Sequence, residues 1–279
     1  MNVCNVEALL DNIAAKVPQG ENTYMGEDGL LHCNNCRGAK EVIVEAFGVQ
    51  KKVRCLCKCE TEKREREVEE RKQRERLERI KRYRDMGFAD RDMMQNTFEV
   101  DDGARPEMTR AMRSYVENFG EFRKTGKGLL LYGSVGTGKS FFAACVVNAL
   151  IEKGYPCLMT NFSRLVNTIN ADFGQRQMHL DALAQFSLIA IDDLGVERDT
   201  DYMNENVTTI IDSLYRAGTP LIVTSNFTPK QLTADVDIRR KRVYDRLLER
   251  CFPIEVNGDS RRKEKGRNDY MNMKEMLGL

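Results

Sequence analysis

Gly133-Ser134-Val135-Gly136-Thr137-Gly138-Lys139-Ser140 follows the apolar run Leu129-Leu130-Leu131-Tyr132 and precedes a helical run over residues 141–151. The pattern is G-x-x-x-x-G-K-[ST], set between a strand and a helix. Its glycines let successive backbone N–H groups curl around an anion, and the following helix aims its positive end at the same point. The loop, from Gly133 through Lys139 to Ser140, is therefore expected to hold a nucleoside triphosphate. Lys139 would reach the β/γ-phosphates and the Ser140 hydroxyl would hold Mg²⁺.

Working outward, residues 88–279 alternate apolar strand-like runs with amphipathic helical ones, which is the mark of a parallel α/β sheet. The runs after the loop are 156–160 as a strand, 163–173 as a helix capped by Ser163, and 187–193 as a strand. A helix over about 203–217, a strand at 220–226 and a helix opened by Thr228-Pro229 follow. Asp192-Asp193 stand directly after four apolar strand residues, which puts two carboxylates at the carboxyl edge of a buried strand, where ligands of such sheets collect. Asp192 is read as the Mg²⁺-shell aspartate, and Asp193 stands where a water-activating carboxylate belongs. Asn226, after the third strand, can orient an attacking water. Arg239-Arg240-Lys241-Arg242 and Arg246 offer guanidinium groups that could stabilise transition-state charge from a neighbouring subunit, and Arg261-Arg262 could sense nucleotide within the chain.

Ahead of this segment, residues 1–59 read as a small cysteine-bearing module. Five of the nine cysteines, Cys33, Cys36, Cys55, Cys57 and Cys59, fall in 27 residues, a spacing that favours metal over disulfides in a reducing compartment. Cys33-Asn34-Asn35-Cys36 is a C-x-x-C knuckle, and residues 41–47 are expected to form one strand of a hairpin. A zinc ribbon presents two ligand pairs on two tight turns. The first pair is Cys33 and Cys36; three cysteines compete for the second, with Cys57 and Cys59 favoured and Cys55 as alternate. Cys145, Cys157 and Cys251 are expected to be buried thiols; Cys4 is solitary. Residues 60–87 form a charged helical linker, with 20 of residues 60–85 charged and five i,i+4 Glu-to-Arg pairs starting at Glu62, Glu67, Glu70, Glu75 and Glu78.

The bulk numbers add little steering. The chain has 279 residues, 41% hydrophobic residues and a net charge of +1, so no global attraction to nucleic acid or membrane follows. It shows no secretory signal pattern and no 18-residue apolar run, so a cytoplasmic location away from membranes is expected.

The ordered set Gly-x-x-Gly-x-Gly-Lys-Ser, Ile-Asp-Asp-Leu-Gly, Thr-Ser-Asn, Arg-Val-Tyr-Asp-Arg-Leu and Asp-Ser-Arg-Arg resembles the bacterial replicative-helicase loaders of the DnaC/DnaI type. These are AAA+ ATPases, related to the initiator DnaA and to the IstB transposition helpers, and the likeness covers roughly residues 95–265. The resemblance implies ATP with Mg²⁺ as ligands and a weak ATPase stimulated by assembly or DNA. Asn226 then resembles the sensor 1 asparagine, Arg246 the arginine finger with Arg242 in reserve, and Arg262 the sensor 2 arginine. Asp193 departs from the more general Glu. The cysteine module resembles the extension with which zinc-bearing loaders grip the helicase. Implied partners are a hexameric replicative helicase, single-stranded DNA and further copies of the chain. DNA contacts are expected at Asn161, Phe162, Arg164 and the basic run from Arg239. The alternatives are an IstB-type helper of transposition and a nucleotide-gated binding module without hydrolysis.

Overall fold

The computed structural model describes residues 22–46, 48–171, 173–195, 200–234, 238–261, 270–271 and 273–277. Cys4, Phe47 and Arg262 lie outside them. The chain divides into two compact bodies, Met1–Leu77 and Glu78–Leu279.

In the first body, β1 (Thr23–Met25) pairs antiparallel with β2 (Leu31–Cys33), and β3 (Glu41–Ala46) pairs antiparallel with β4 (Val49–Arg54). The Glu41 carboxylate accepts from the Leu31 backbone N–H at 3.0 Å, and the Lys52 ammonium donates to the Gly29 carbonyl at 2.7 Å, so side chains stitch the two hairpins together. Among its described residues the buried apolar side chains are only Cys33, Val53 and Cys57. A body with so thin a core cannot offset its chain entropy by burial alone.

The charged run forms α1 (Lys58–Gly87), longer by two residues at each end than the charged stretch itself. Its surface ion pairs are Lys63–Glu67 and Arg71–Glu75, at 3.8 and 3.9 Å, in the reverse of the expected Glu-to-Arg order. Such exposed long pairs contribute little, so helix propensity rather than pairing carries these turns.

The second body begins inside this helix. Ile80 is buried in its core, Tyr83 packs against that core, and Arg84 pairs with Glu152. The helix then stops against a wall: a Cβ at Gly87 would stand 2.7 Å from the Cys157 carbonyl oxygen. The compact body therefore includes residues 78–87, which the sequence assigns to a linker.

Its sheet has five parallel strands, β5 (Gly128–Tyr132), β6 (Cys157–Asn161), β7 (Leu188–Leu194), β8 (Leu221–Ser225) and β9 (Cys251–Glu255), in the order β6-β7-β8-β5-β9. Alternate residues feed two cores, one per face. Leu129 and Leu131 of β5 join Leu188 and Ala190 of β7 on one side; Leu130, Ile189 and Ile191 face the other. Burial on both faces explains why these strands read as unbroken apolar runs. Helices α2 (Pro106–Glu117), α3 (Phe119–Thr125) and α4 (Lys139–Glu152) cover the first face. The second is covered by α5 (Phe162–Asn170), α6 (Arg176–Leu183), α7 (Asp201–Ala217), α8 (Pro229–Thr233) and α9 (Ile238–Arg250).

Two helix starts differ from expectation. Asn161, not Ser163, caps α5, its side chain accepting from the Arg164 N–H at 2.9 Å. Thr200 caps α7, which starts at Asp201 rather than near Met203. In both cases a polar residue one turn nearer the strand satisfies the orphan N–H groups first. At α8 the Thr228–Pro229 start is as expected, with Gln231 completing a capping box.

Ile80→Ala should lower unfolding free energy by about 2–4 kcal/mol, as cavity formation in a packed core does, whereas Leu77→Ala, at 65% exposure, should change it by less than about 0.5 kcal/mol. Denaturant titration of the two variants in the full chain checks this.

Candidate nucleotide site and cysteine centre

β5 delivers the chain into the loop 133–138, and α4 leaves it at Lys139. Gly136 and Gly138 have φ of 84° and 93°, backbone that glycine adopts without strain. At Gly136 a side chain is also barred by space, since a Cβ would fall 2.1 Å from the Ser260 Oγ. Thr137 is fully buried and its hydroxyl donates to the Ser134 carbonyl at 3.0 Å, which tightens the loop from within. The Lys139 ammonium is folded back under it. It donates to the carbonyls of Gly133 and Ser134 at 3.0 and 2.8 Å and to the Asn226 Oδ1 at 2.8 Å. Lys139 and Asn226, 87 residues apart in sequence, are thereby brought into direct contact, because β8 lies beside β5.

β7 lies next to β8 on the far side. Its register with β8 slips once: Ile191 faces Val223, yet Leu194 faces Ser225. Three steps on β7 thus match two on β8, and the acidic pair occupies the bulge. Asp193 has a φ of 60° there. The Asp192 Oδ1 accepts from the Thr224 hydroxyl at 2.6 Å, and the Thr224 Oγ1 in turn accepts from the Asp193 N–H at 2.9 Å. Asp192 is held toward β8, while Asp193 faces a cavity of about 380 Å³.

That cavity is lined by Val135, Gly136, Gly138, Lys139, Ser140 and Phe141 from the loop and α4, by Asp193 and Asn226, and by Met93, Asn96 and Arg261. Its volume suits a nucleotide-sized ligand. The last three residues are invisible to motif reading. Met93 and Asn96 belong to a short turn, Arg91–Gln95 and its cap, with no periodic signal. Arg261 stands beside Arg262 in an exposed-looking basic run, and sequence alone has no means of choosing between them. In the structure the Arg261 guanidinium lies 5.0 Å over the Phe141 ring and pairs with Asp101 at 3.2 Å and with Asp102. Burial works to raise the Asp101 carboxyl; hydrogen bonds from the Thr109 hydroxyl and Arg261 outweigh it and hold the group below its usual range. Arg105 is a second unforeseen contributor. It donates to the carbonyls of Thr137, Asn257 and Asp259, pinning the phosphate loop to the segment that follows β9.

The arginine of the 243–248 run is elsewhere. Arg246, on α9, pairs with Asp212 of α7 and stacks 5.6 Å over Tyr215. It is not among the residues lining the cavity of its own chain. Arg242 is exposed on the same helix. The expected DNA contacts on β6 and α5 are not available as read: Phe162 is buried at 1% exposure, Asn161 is committed to the helix cap, and Arg164 donates to the Ala89 carbonyl.

In the first body the sulfurs of Cys33, Cys36, Cys57 and Cys59 all lie within 4.8 Å of one another. Cys33–Cys59 and Cys57–Cys59 are separated by 3.6 and 3.3 Å. A tetrahedral four-thiolate zinc site with Zn–S near 2.3 Å needs sulfurs about 3.8 Å apart, so the donor set fits. Cys55 is excluded, its thiol turned to the Ala39 carbonyl at 3.5 Å. The second ligand pair does not sit on a second tight turn, as a zinc ribbon would have it. Cys57 and Cys59 open α1, whose first bond runs from the Thr61 N–H to the Cys57 carbonyl at 2.9 Å. A helix start serves as well, since its N–H groups and dipole favour thiolate. Backbone N–H groups of Cys59 and Gly38 hold the Cys36 thiol down at about 6, while burial pushes Cys57 up. Lys40, buried and paired with Glu60 at 2.7 Å, adds positive charge beside the cluster.

Comparison with known proteins agrees with this geometry. Residues 55–269 match the family model of the IstB-like ATP binding protein. The chain is 25% identical over 190 residues to the replicative helicase loader DnaI of Bacillus subtilis strain 168, a match that takes in 63% of this chain and 61% of that protein. It thus spans about three fifths of that relative's length. It is also 24% identical over 176 residues to a putative ATP-binding protein in an insertion sequence of Mycobacterium tuberculosis, covering 61% of this chain and 70% of that one. The crystal structure of a DnaI shares its fold, with a TM-score of 0.53 at 23% identity over 64% of this chain and 99% of that one. With its P-loop, its five-stranded parallel sheet and its acidic strand one removed from the loop strand, the chain belongs to the IstB-like family of AAA+ ATP-binding proteins.

Proposed function

We propose that this protein is an ATP-dependent loader that engages a hexameric replicative helicase and delivers it to single-stranded DNA. The observation that carries the reading is a phosphate-loop cavity in one body and a cluster of four cysteine sulfurs in the other. The similarity to DnaI supports it. The metal-held first body supplies a gripping surface for the helicase, separate from the part that responds to nucleotide. The transposition reading draws on the family match and the insertion-sequence relative. The cysteine body weighs toward loading.

At the nucleotide site, loop amides and Lys139 bind the phosphates, and Lys139 exchanges its carbonyl partners for phosphate oxygens. Ser140 and Asp192 are hard oxygen donors suited to Mg²⁺, which supplies charge neutralisation to the transferred phosphoryl group. Asp193 and Asn226 orient and activate the attacking water. Arg246, held on the α7–α9 surface, completes the site of a neighbouring copy, which makes self-association part of the cycle. Arg261, in the cavity wall, is placed to sense nucleotide; Arg262, to which the resemblance gives that role, lies outside the described residues. Single-stranded DNA runs along the basic start of α9, where Lys241 and Arg242 are exposed. Zinc at Cys33, Cys36, Cys57 and Cys59 is structural and supplies folding free energy to a body whose described residues include three buried apolar side chains. No helix among the described residues is long and apolar enough to cross a membrane, and the proposed partners place the protein in the cytoplasm.

Purification with and without ATP, read by mass spectrometry, tests the partner: stoichiometric recovery of a helicase supports loading, and recovery of a transposase overturns it. Lys139→Ala should weaken ATP binding by about 10–100-fold, the value of lost charge-assisted bonds, measured by calorimetry. Arg246→Ala should leave monomer ATP affinity within twofold but abolish hydrolysis that depends on assembly, and mixing it with Asp193→Ala should restore part of that activity. Metal analysis should find one zinc per chain, lost in Cys57→Ser and retained in Cys55→Ser.

A further inference from the structure

We infer that Thr224 is a positioning residue for hydrolysis: its single hydroxyl locks the bulge in β7 and thereby fixes the acidic pair against the cavity. The inference rests on the ATPase reading of that cavity.

The bulge needs an explanation. An extra residue in a central, doubly flanked strand breaks ladder pairing where unpaired groups are costly. Asp193 adds the cost of left-handed backbone, tolerated by aspartate but only where the surroundings enforce it. Thr224 meets both demands. Buried at 1% exposure, it stands opposite the two acidic residues in the register gap. Its oxygen accepts the Asp193 N–H at 2.9 Å, and its proton goes to the Asp192 Oδ1 at 2.6 Å. One side chain therefore sets the backbone of one carboxylate and the rotamer of the other. Ser225 bolts the other end of the bulge, donating to the Leu194 carbonyl at 2.8 Å and accepting from the Phe227 N–H at 3.1 Å, which also shapes the turn that presents Asn226. Thr224 is not among the residues that line the cavity, so its effect belongs to the orientation of the acids and not to nucleotide affinity.

Thr224→Val keeps the shape and removes both bonds; Thr224→Ser keeps both bonds and removes a methyl. Two measurements are made on the full chain. In steady-state phosphate release, the valine variant should lose kcat by about 10–100-fold, the usual effect of removing a partner that orients a ligating carboxylate, with KM and ATP affinity within twofold of wild type. The serine variant should regain kcat to within about threefold of wild type. In amide hydrogen exchange, the Asp193 N–H should exchange at least tenfold faster in the valine variant, with Ile222 and Val223 unchanged. A valine variant with wild-type kcat, or with wild-type exchange at Asp193, overturns the proposal. If valine prevents nucleotide binding altogether, Thr224→Cys, a weak donor of similar size, takes its place with the same expectations. Wild-type protein that binds ATP but releases no phosphate with DNA and partners present sinks the ATPase reading; hydrogen exchange then decides the role of Thr224 alone.

Discussion

The second body is organised around a cation under a loop of carbonyls. Lys139 sits at 5% exposure with its ammonium shared among Gly133, Ser134 and Asn226. A buried ammonium is tolerated only where donors are fully used, so these three contacts determine much else. Two of them fasten the first residues of the loop to the start of α4. The third ties the start of α4 to the residue that follows β8, the strand between β5 and β7. That strand order sets Asp193 and Asn226 on a common edge, each delivered by its own strand. One lysine finds its acceptors where that strand order puts them.

Much of this was legible in the sequence because the loop, the acidic pair and the asparagine each end an apolar run, and parallel strands buried on both faces announce themselves as such runs. What was not legible depends on contacts between segments far apart. Arg105 reaches the carbonyls of Asn257 and Asp259 across more than 150 residues, and nothing local marks it. Arg261 gains its place from Phe141 and from Asp101, a residue with no pattern of its own. Phe162 read as a base-stacking aromatic because a single aromatic after a strand has the same local appearance whether it faces solvent or the core.

The first body shows the opposite balance. Spacing there marks Cys33 and Cys36, but which of Cys55, Cys57 and Cys59 converge on them depends on where the helix starts. Once Cys57 gives its carbonyl to the first helical bond, Cys59 is one residue into α1 and both sulfurs face the knuckle. Cys55, the last residue before that turn, points back to Ala39 instead. Helix initiation, and not the number of cysteines, selects which sulfurs converge. The same helix carries on as a nearly bare charged rod and acquires a buried face only at Ile80.

Asp193 is one methylene shorter than the Glu usual at such a position, which would draw a carboxylate away from its water. The structure answers with backbone instead of side chain. The additional residue in β7 and the positive φ fall at Asp193, which lines the cavity. A longer acid on a regular strand and a shorter acid on a bulged one are two solutions to one distance requirement. The second has a consequence that the first lacks. Its reach depends on a conformation that Thr224 and Ser225 must hold, so the chemistry of the acidic pair is tied to the neighbouring strand, the same strand that ends in Asn226. Acid and asparagine are then positioned by one element, and a displacement of β8 would misplace both at once.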